Sequence, residues 1–235
     1  MIAKKILKVS LGVIIFSFIM RSQISTISTA ATNDFADFNF KEYLSKPCVA
    51  LTFDDGPHQE FTREILKVLS EEGARATFFV VGKQVIIFPE LLQEIARSGN
   101  EIGNHTYNHY NLTTLDEAQV NFEIKSNKEL IERVTGLTPR YFRPPGGHYN
   151  FKVVEAVKDN GEDMALWSIH SRDTDRPPAE YILQKVLNNV EDQSVILLHS
   201  GVKQTLETLP QMIRELRKKG YRLVTLSELE KGKSS

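Results

Sequence analysis

The sequence predicts an α/β fold with about seven parallel strands, either in an irregular, incompletely closed barrel or in an open doubly wound sheet. Three observations carry this prediction. Short apolar runs alternate with helix-like stretches from residue 48 onward. Strand–helix–strand alternation requires right-handed crossovers, and those make the strands parallel. Many of the helix-like stretches stop at a glycine (Gly73, Gly99, Gly136, Gly161 and Gly220), as a left-handed C-cap requires.

In chain order, the strand-like runs are residues 49–53, 76–81, 101–103, 140–143, 164–168, 195–199 and 222–226. The helix-like stretches between them are 60–72, 88–97, 115–134, 151–159, 179–190 and 206–219. Ile65, Leu66, Val68 and Leu69 form one apolar helix face, and Leu209, Met212, Ile213 and Leu216 form another. Seven is an odd count for an eight-fold barrel, which is why an irregular or open closure is expected. No internal repeat occurs.

The chain has 235 residues, 41% hydrophobic and 25% charged, which suits one large domain or barrel. Net charge is −1 and no basic stripe with interleaved aromatics appears, so nucleic acid is not an expected partner. A monomer is expected. Lys4, Lys5 and Lys8 precede an apolar run from Val9 to Met20, and small residues follow up to Ala30-Ala31. This pattern makes residues 1–31 a secretory signal or a membrane anchor, with the protein exported, secreted to the wall or held on the outer face. Residues 32–47 read as a linker and 48–235 as the functional domain. Taking the four basic residues of 1–31 from the chain's 29 leaves 25 basic against 30 acidic. Cys48 is the single cysteine, so no intrachain disulfide is available and stability must come from packing.

Parallel architectures gather their active sites at the carboxyl ends of strands. The unusual polar residues cluster there: Asp54 and Asp55 after the first strand, His105 and His109 after the third, Arg143 closing the fourth, Asp173 after the fifth, His199 ending the sixth. Adjacent side chains on a strand point to opposite faces, so the two acids suggest two jobs, one holding a metal and one moving a proton. His105 and His109, four apart, share a face if they occupy a helical turn and then chelate one ion. With Asp55 they make an open set of two nitrogens and one oxygen, which indicates a catalytic rather than a structural metal. Zinc is the default, with cobalt, nickel or iron also suited. Singly, each signal has a plainer reading: His199 as a strand-capping histidine, Arg143 as a structural ion-pair partner, the Pro144-Pro145-Gly146-Gly147 loop as a surface turn. That loop otherwise offers the backbone N–H groups of Gly146 and Gly147 to an oxyanion.

Together these residues resemble the NodB-type polysaccharide deacetylases, carbohydrate esterase family four, over about residues 48–228. The signatures are Thr52-Phe53-Asp54-Asp55-Gly56-Pro57, His105-Thr106-x-x-His109, Arg143-Pro144-Pro145, a degenerate His170-Ser171-Arg172-Asp173-Thr174 and Leu197-x-His199. The resemblance implies a distorted (β/α) barrel, the NodB homology domain. It implies that Asp54 is the general base, that Asp55, His105 and His109 bind the metal, and that Arg143 orients Asp54 and keeps it ionised. It also implies that His199 is the general acid, that Asp173 tunes it, and that the backbone N–H of Gly146 binds the oxyanion. The implied reaction removes N-acetyl groups from N-acetylglucosamine polymers such as peptidoglycan or chitin, releasing acetate. An O-acetyl esterase acting on xylan and a non-catalytic glycan-binding wall module are the alternatives. Phosphoryl transfer is excluded, because no glycine-rich phosphate loop with its lysine occurs.

Three positions depart from the family pattern. Tyr110 stands where a proline is usual. Gly146 replaces an aromatic, removing one wall of the sugar groove, and Thr174 replaces the tryptophan that packs around the catalytic acid. His58 and His148 are read as loop residues, and His170 as a partial substitute or a solvent-facing side chain.

Overall fold

The computed structural model describes residues 46–231. The segment read as signal or anchor and nearly all of the linker lie outside the described residues. Among the described residues no helix is long and apolar enough to cross a membrane.

The chain runs β1 (Cys48–Gly56), α1 (Thr62–Glu71), β2 (Thr77–Val80), α2 (Gly82–Ile87), α3 (Pro89–Arg97), β3 (Glu101–Asn104) and α4 (Glu117–Thr135). It continues through β4 (Tyr141–Phe142), α5 (Phe151–Asp159), β5 (Asp163–Met164), β6 (Ile169–His170), α6 (Ala179–Leu187), β7 (Val195–His199), α7 (Lys203–Lys218), β8 (Arg222–Leu223) and α8 (Leu226–Lys231). The strands form one sheet in the order β5-β4-β3-β2-β1-β7-β6, with β8 against the start of β1. Every pairing is parallel. The expected α/β class and the distorted, incompletely closed barrel are what the chain adopts.

Of the predicted strand 164–168 only Met164 lies in a strand: β5 ends there, and β6 begins at Ile169 on the opposite edge of the sheet. The residues between them carry the chain across the open side. Ala165 N still donates to Phe142 O on the β4 edge (2.8 Å), while Ser168 N donates to Val195 O on the β7 edge (3.0 Å). A crossing segment of this kind leaves carbonyls without strand partners, and buried carbonyls need donors. Arg143 supplies them, Nε to Ala165 O at 3.0 Å and Nη2 to Leu166 O at 3.1 Å.

Alternation along β1 sorts its residues between two environments. Val49, Leu51 and Phe53 join the outer core beneath the helices, with Ile65 and Leu69 of α1 and Leu209, Met212, Ile213 and Leu216 of α7. Cys48 and Ala50 face the barrel interior with Phe79, Tyr141, Val224 and Leu226. Thr52 and Asp54 continue the interior file upward. Cys48 is a free, buried thiol.

The predicted helices form within a few residues of their expected bounds. The five terminal glycines all take positive φ, from 54° to 91°. Helix α2 was not expected, because Ile86 and Ile87 lie exposed and spoil its periodicity. The predicted strand 222–226 ends early, since the chain turns into α8 at Leu226.

Candidate active site

The acid pair sits in a β-bulge. Between the register pairs Phe53↔Phe78 and Gly56↔Val80, β1 carries two residues where β2 carries one, and Asp55 takes φ 68°. A bulge breaks strand alternation and re-aims side chains. The expectation that Asp54 and Asp55 face opposite sides is therefore corrected: both approach the same imidazole. Asp54 Oδ2 is 3.7 Å and Asp55 Oδ1 3.4 Å from His105 Nε2.

The histidine pair is not on a helical turn either. His105 follows the last residue of β3, and His109 ends a loop in which Thr106 and His109 both adopt positive φ (67° and 63°). Thr106 Oγ1 accepts from His109 N at 2.9 Å, and Asn104 Oδ1 accepts from Thr106 N at 3.0 Å. The amino end of α2 reinforces the loop, Gly82 N donating to Thr106 O and Lys83 N to Tyr107 O. Glycine is needed at 82, because a Cβ there would lie 2.6 Å from the Tyr107 ring and 2.9 Å from its Cα. From below, buried Glu123 accepts from Asn108 N (2.7 Å) and from Asn108 Nδ2 (2.5 Å). The rings of His105 and His109 come within 4.9 Å of each other as a result.

Asp55, His105 and His109 each offer one donor atom, all within 4.8 Å of one another. His105 Nδ1 lies 2.7 Å from the Arg143 carbonyl oxygen, which has no proton to give. That contact puts the proton on Nδ1 and the lone pair on Nε2, toward the site. Asp55 Oδ1 is buried and makes no hydrogen bond, although His109 Nε2 lies 3.0 Å away. An orphaned carboxylate oxygen facing an imidazole lone pair fits a divalent cation between them. The metal-ligand expectation fits this geometry.

Asp54 is buried and tied to Arg143, whose Nη1 donates to Asp54 Oδ1 (2.7 Å) and Thr52 Oγ1 (2.8 Å). The guanidinium lies 4.0 Å above the Phe79 ring centroid and plugs the barrel interior. Burial pulls it below its ordinary value while Asp54 opposes the shift; an arginine stays charged nonetheless.

On the adjacent strand β7, His199 is the register partner of Asp54, and Ser200 N donates to Asp54 O at 2.9 Å. His199 Nδ1 lies 2.8 Å from Asp173 Oδ1, and His199 N donates to Asp173 Oδ2 at 2.7 Å. Thr205 Oγ1, from the first turn of α7, donates to Asp173 Oδ2 at 2.6 Å. Burial depresses the His199 pKa, but the Asp173 hydrogen bond and charge outweigh it and leave the imidazole above its ordinary value.

Gly146 lies in the turn Pro145–Gly147 at φ 62°. Gly147 N is spent on Pro144 O (2.9 Å), whereas Gly146 N makes no hydrogen bond within the described residues. Of the two backbone donors expected from this loop, only Gly146 is available.

Sequence reasoning missed several supporting residues. Glu123 and Thr205 carry no distinctive spacing, and the roles of Thr52, Glu123 and Thr205 appear only through contacts 15 to 91 residues apart in sequence, such as Asn108–Glu123 and Arg143–Thr52, while Asn104 acts locally on Thr106 N. Trp167, the chain's one tryptophan, could have been found from its place at a strand boundary. Its ring stands 5.8 Å from that of His170, and a Cβ at Gly147 would lie 2.8 Å from it. Thr174 is exposed, and Asp173 is buried instead by His199 and Thr205.

A family model described as polysaccharide deacetylase matches residues 41–165. A peptidoglycan-N-acetylglucosamine deacetylase of Bacillus cereus is 38% identical over 77% of this chain and 87% of its own length. The peptidoglycan-N-acetylmuramic acid deacetylase PdaC of Bacillus subtilis is 36% identical over 79% of this chain, a stretch that spans 39% of that longer protein. A solved PdaC structure superimposes with TM-score 0.77 at 34% identity, covering 81% of this chain and 93% of the solved one. A Bacillus anthracis protein described as a CE4 family pseudoenzyme superimposes with TM-score 0.76 at 29% identity, over 79% of this chain and 66% of that one.

Proposed function

The chain belongs to the polysaccharide deacetylase family, and from that premise we propose that it is an exported, metal-dependent N-deacetylase of N-acetylglucosamine residues in peptidoglycan or a chitin-like glycan. One observation carries the reading. Asp54 and His199 stand side by side on neighbouring strands, each anchored from behind, next to the convergent donors of Asp55, His105 and His109. A base, an acid and a cation cradle are what hydrolysis of an amide requires. The 38% identity to a peptidoglycan-N-acetylglucosamine deacetylase supports the substrate.

Asp55, His105 and His109 would hold a divalent cation, zinc the leading candidate, which would supply polarisation of the acetyl carbonyl and acidification of a water. Asp54, its Oδ1 fixed by Arg143, accepts the proton of the attacking water through Oδ2. The free N–H of Gly146 donates to the oxygen on which negative charge develops. His199, protonated and with Nδ1 tied to Asp173, delivers a proton from Nε2 to the departing sugar nitrogen. The products are acetate and a free amino sugar.

The pseudoenzyme neighbour makes a binding-only module the contrasting case, but here the acid, base and cradle positions are all filled. The test is product analysis by mass spectrometry on acetylated chitooligosaccharides and peptidoglycan, with and without added zinc or cobalt. Loss of one acetyl mass per cleaved site, abolished by chelator and restored by metal, is expected. Glycan binding without acetate release under any metal would replace this reading with the binding module. Export rests on residues 1–31 and is checked by fractionating cells that make the full chain.

A further inference from the structure

We infer that a cleft beside His109, walled by Tyr110 and Phe122, is a carbohydrate subsite that seats a pyranose ring of the glycan backbone away from the acetamide being cleaved. This deepens the deacetylase reading and rests on it. The cleft has a volume of about 360 Å³ and is lined by Asn108, Tyr110, Leu115, Ala118, Gln119 and Phe122, with Glu123 beneath. That volume lies within the range of small-ligand pockets, about 300–1,000 Å³.

Single exposed hydrophobic residues are ordinary on protein surfaces, whereas two rings on one concave patch are not. Tyr110 is 50% and Phe122 54% exposed. Both rings are positioned without ligand: Tyr107 meets Phe122 edge-on at 5.8 Å, and Lys83 Nζ sits 5.6 Å over the Tyr110 ring. Rings held in place in advance lose little freedom when a ligand binds. Asn108 and Tyr110 flank His109 in the loop after β3, so the cleft adjoins the cation cradle on the face where the strands end.

The chemistry selects a neutral sugar. A pyranose presents apolar C–H faces to aromatic rings and a perimeter of hydroxyls. Two polar atoms of the lining remain for those hydroxyls. Asn108 spends Nδ2 on Glu123 and keeps Oδ1 free, and Gln119 spends Oε1 on Asp116 N and keeps Nε2 free. The only ionisable acid of the lining, Glu123, is 2% exposed and doubly bonded to Asn108. The lining itself presents no exposed charge, and the cations beside it are engaged, Lys83 over the Tyr110 ring and Lys152 on the Leu115 carbonyl.

The experiment measures the full chain on N-acetylated chitooligosaccharides from dimer to pentamer, comparing wild type with Tyr110→Ala, Phe122→Ala and Tyr110→Phe. Binding to the same series is followed by calorimetry in an Asp54→Asn background. The pentamer-to-dimer advantage in affinity and in KM is expected to fall about three- to tenfold in either alanine variant, the scale of one lost aromatic stacking contact. Tyr110→Phe, which keeps the ring, is expected to restore it. An equal loss at every length or no loss at any length would overturn the subsite. If wild type binds with the predicted length dependence yet releases no acetate, the deacetylase reading fails and the subsite stands. If acetate is released with no length dependence on either ring, the subsite fails and the deacetylase reading stands.

Discussion

Two carboxylate–cation pairs flank the cradle, and their polarity is reversed. In Asp54–Arg143 the contact is 2.7 Å and both side chains are sealed, at 4% and 0% exposure. In Asp173–His199 the contact is 2.8 Å, with the acid fully buried and the imidazole 15% exposed. In the first pair the cation is the anchor. Arg143 spends its donors on Thr52, Ala165 and Leu166 as well as Asp54, and the carboxylate keeps an oxygen toward the site. In the second the carboxylate is the anchor, filled by His199 and Thr205, and the imidazole keeps Nε2 for work. An arginine that does not titrate suits the carboxylate proposed as the base, whereas a histidine titrates near neutrality and suits the proposed proton donor.

The largest effect is expected from removing the first anchor. Arg143→Ala leaves Asp54 buried without its partner and two carbonyls without donors, at a cost of about 3–5 kcal/mol in urea unfolding, with activity lost. Arg143→Lys should not rescue it, since an ammonium cannot replace the planar fork. Taking away the working member of the second pair separates chemistry from stability. His199→Ala should lower kcat on N-acetylated oligosaccharides about 10²–10⁴-fold while destabilising the fold less than Arg143→Ala, because the buried Asp173 carboxylate keeps the residue-199 backbone N–H and the Thr205 hydroxyl as donors. O-acetylated xylan fragments should lose less, because an alkoxide leaves more easily than an amine. Equal losses on both substrates would remove the leaving-group role of His199.

A third variant tests the tuning. The His199 pKa stands above its ordinary value, so activity that needs protonated His199 persists to higher pH and is lost as pH rises through that value. Asp173→Asn withdraws the charge that raises it, and the alkaline limb of the kcat profile should move to lower pH. A shift of about one unit lowers the rate roughly tenfold on that limb. A limb that stays in place would break the comparison. The smallest effects sharpen it: Thr205→Val and Thr52→Val each delete one hydroxyl contact and should cost about 1 kcal/mol. Only Thr205→Val should move the pH limb, because only its pair contains a group that titrates there.

Much of this architecture was legible in the residue pattern. Apolar runs broken by amphipathic stretches and terminal glycines are local signals, and they placed β1, β2, β3, β4 and β7 and every long helix. The candidate site residues were legible because parallel topology gathers functional groups at strand ends, and because Asp54-Asp55, His105-x-x-x-His109 and His199 occupy such ends. Two geometric expectations failed there for one reason. The opposite-facing acids and the helical histidine turn both assumed regular backbone, whereas positive φ at Asp55, Thr106 and His109 is enforced by neighbours from β2, α2 and α4.

The sequence by itself determined the parallel α/β class, the helix ends and which ionisable side chains are candidates for the chemistry, since these follow from periodicity, capping and the chemistry of each residue. Tertiary structure alone decided that residues 163–170 divide between two sheet edges, that Arg143 bridges the gap between them, and that Glu123 and Thr205 hold the site from behind. Hydrogen bonds between residues far apart in the chain fix those features, and a linear pattern carries no signal for a partner that only folding brings near.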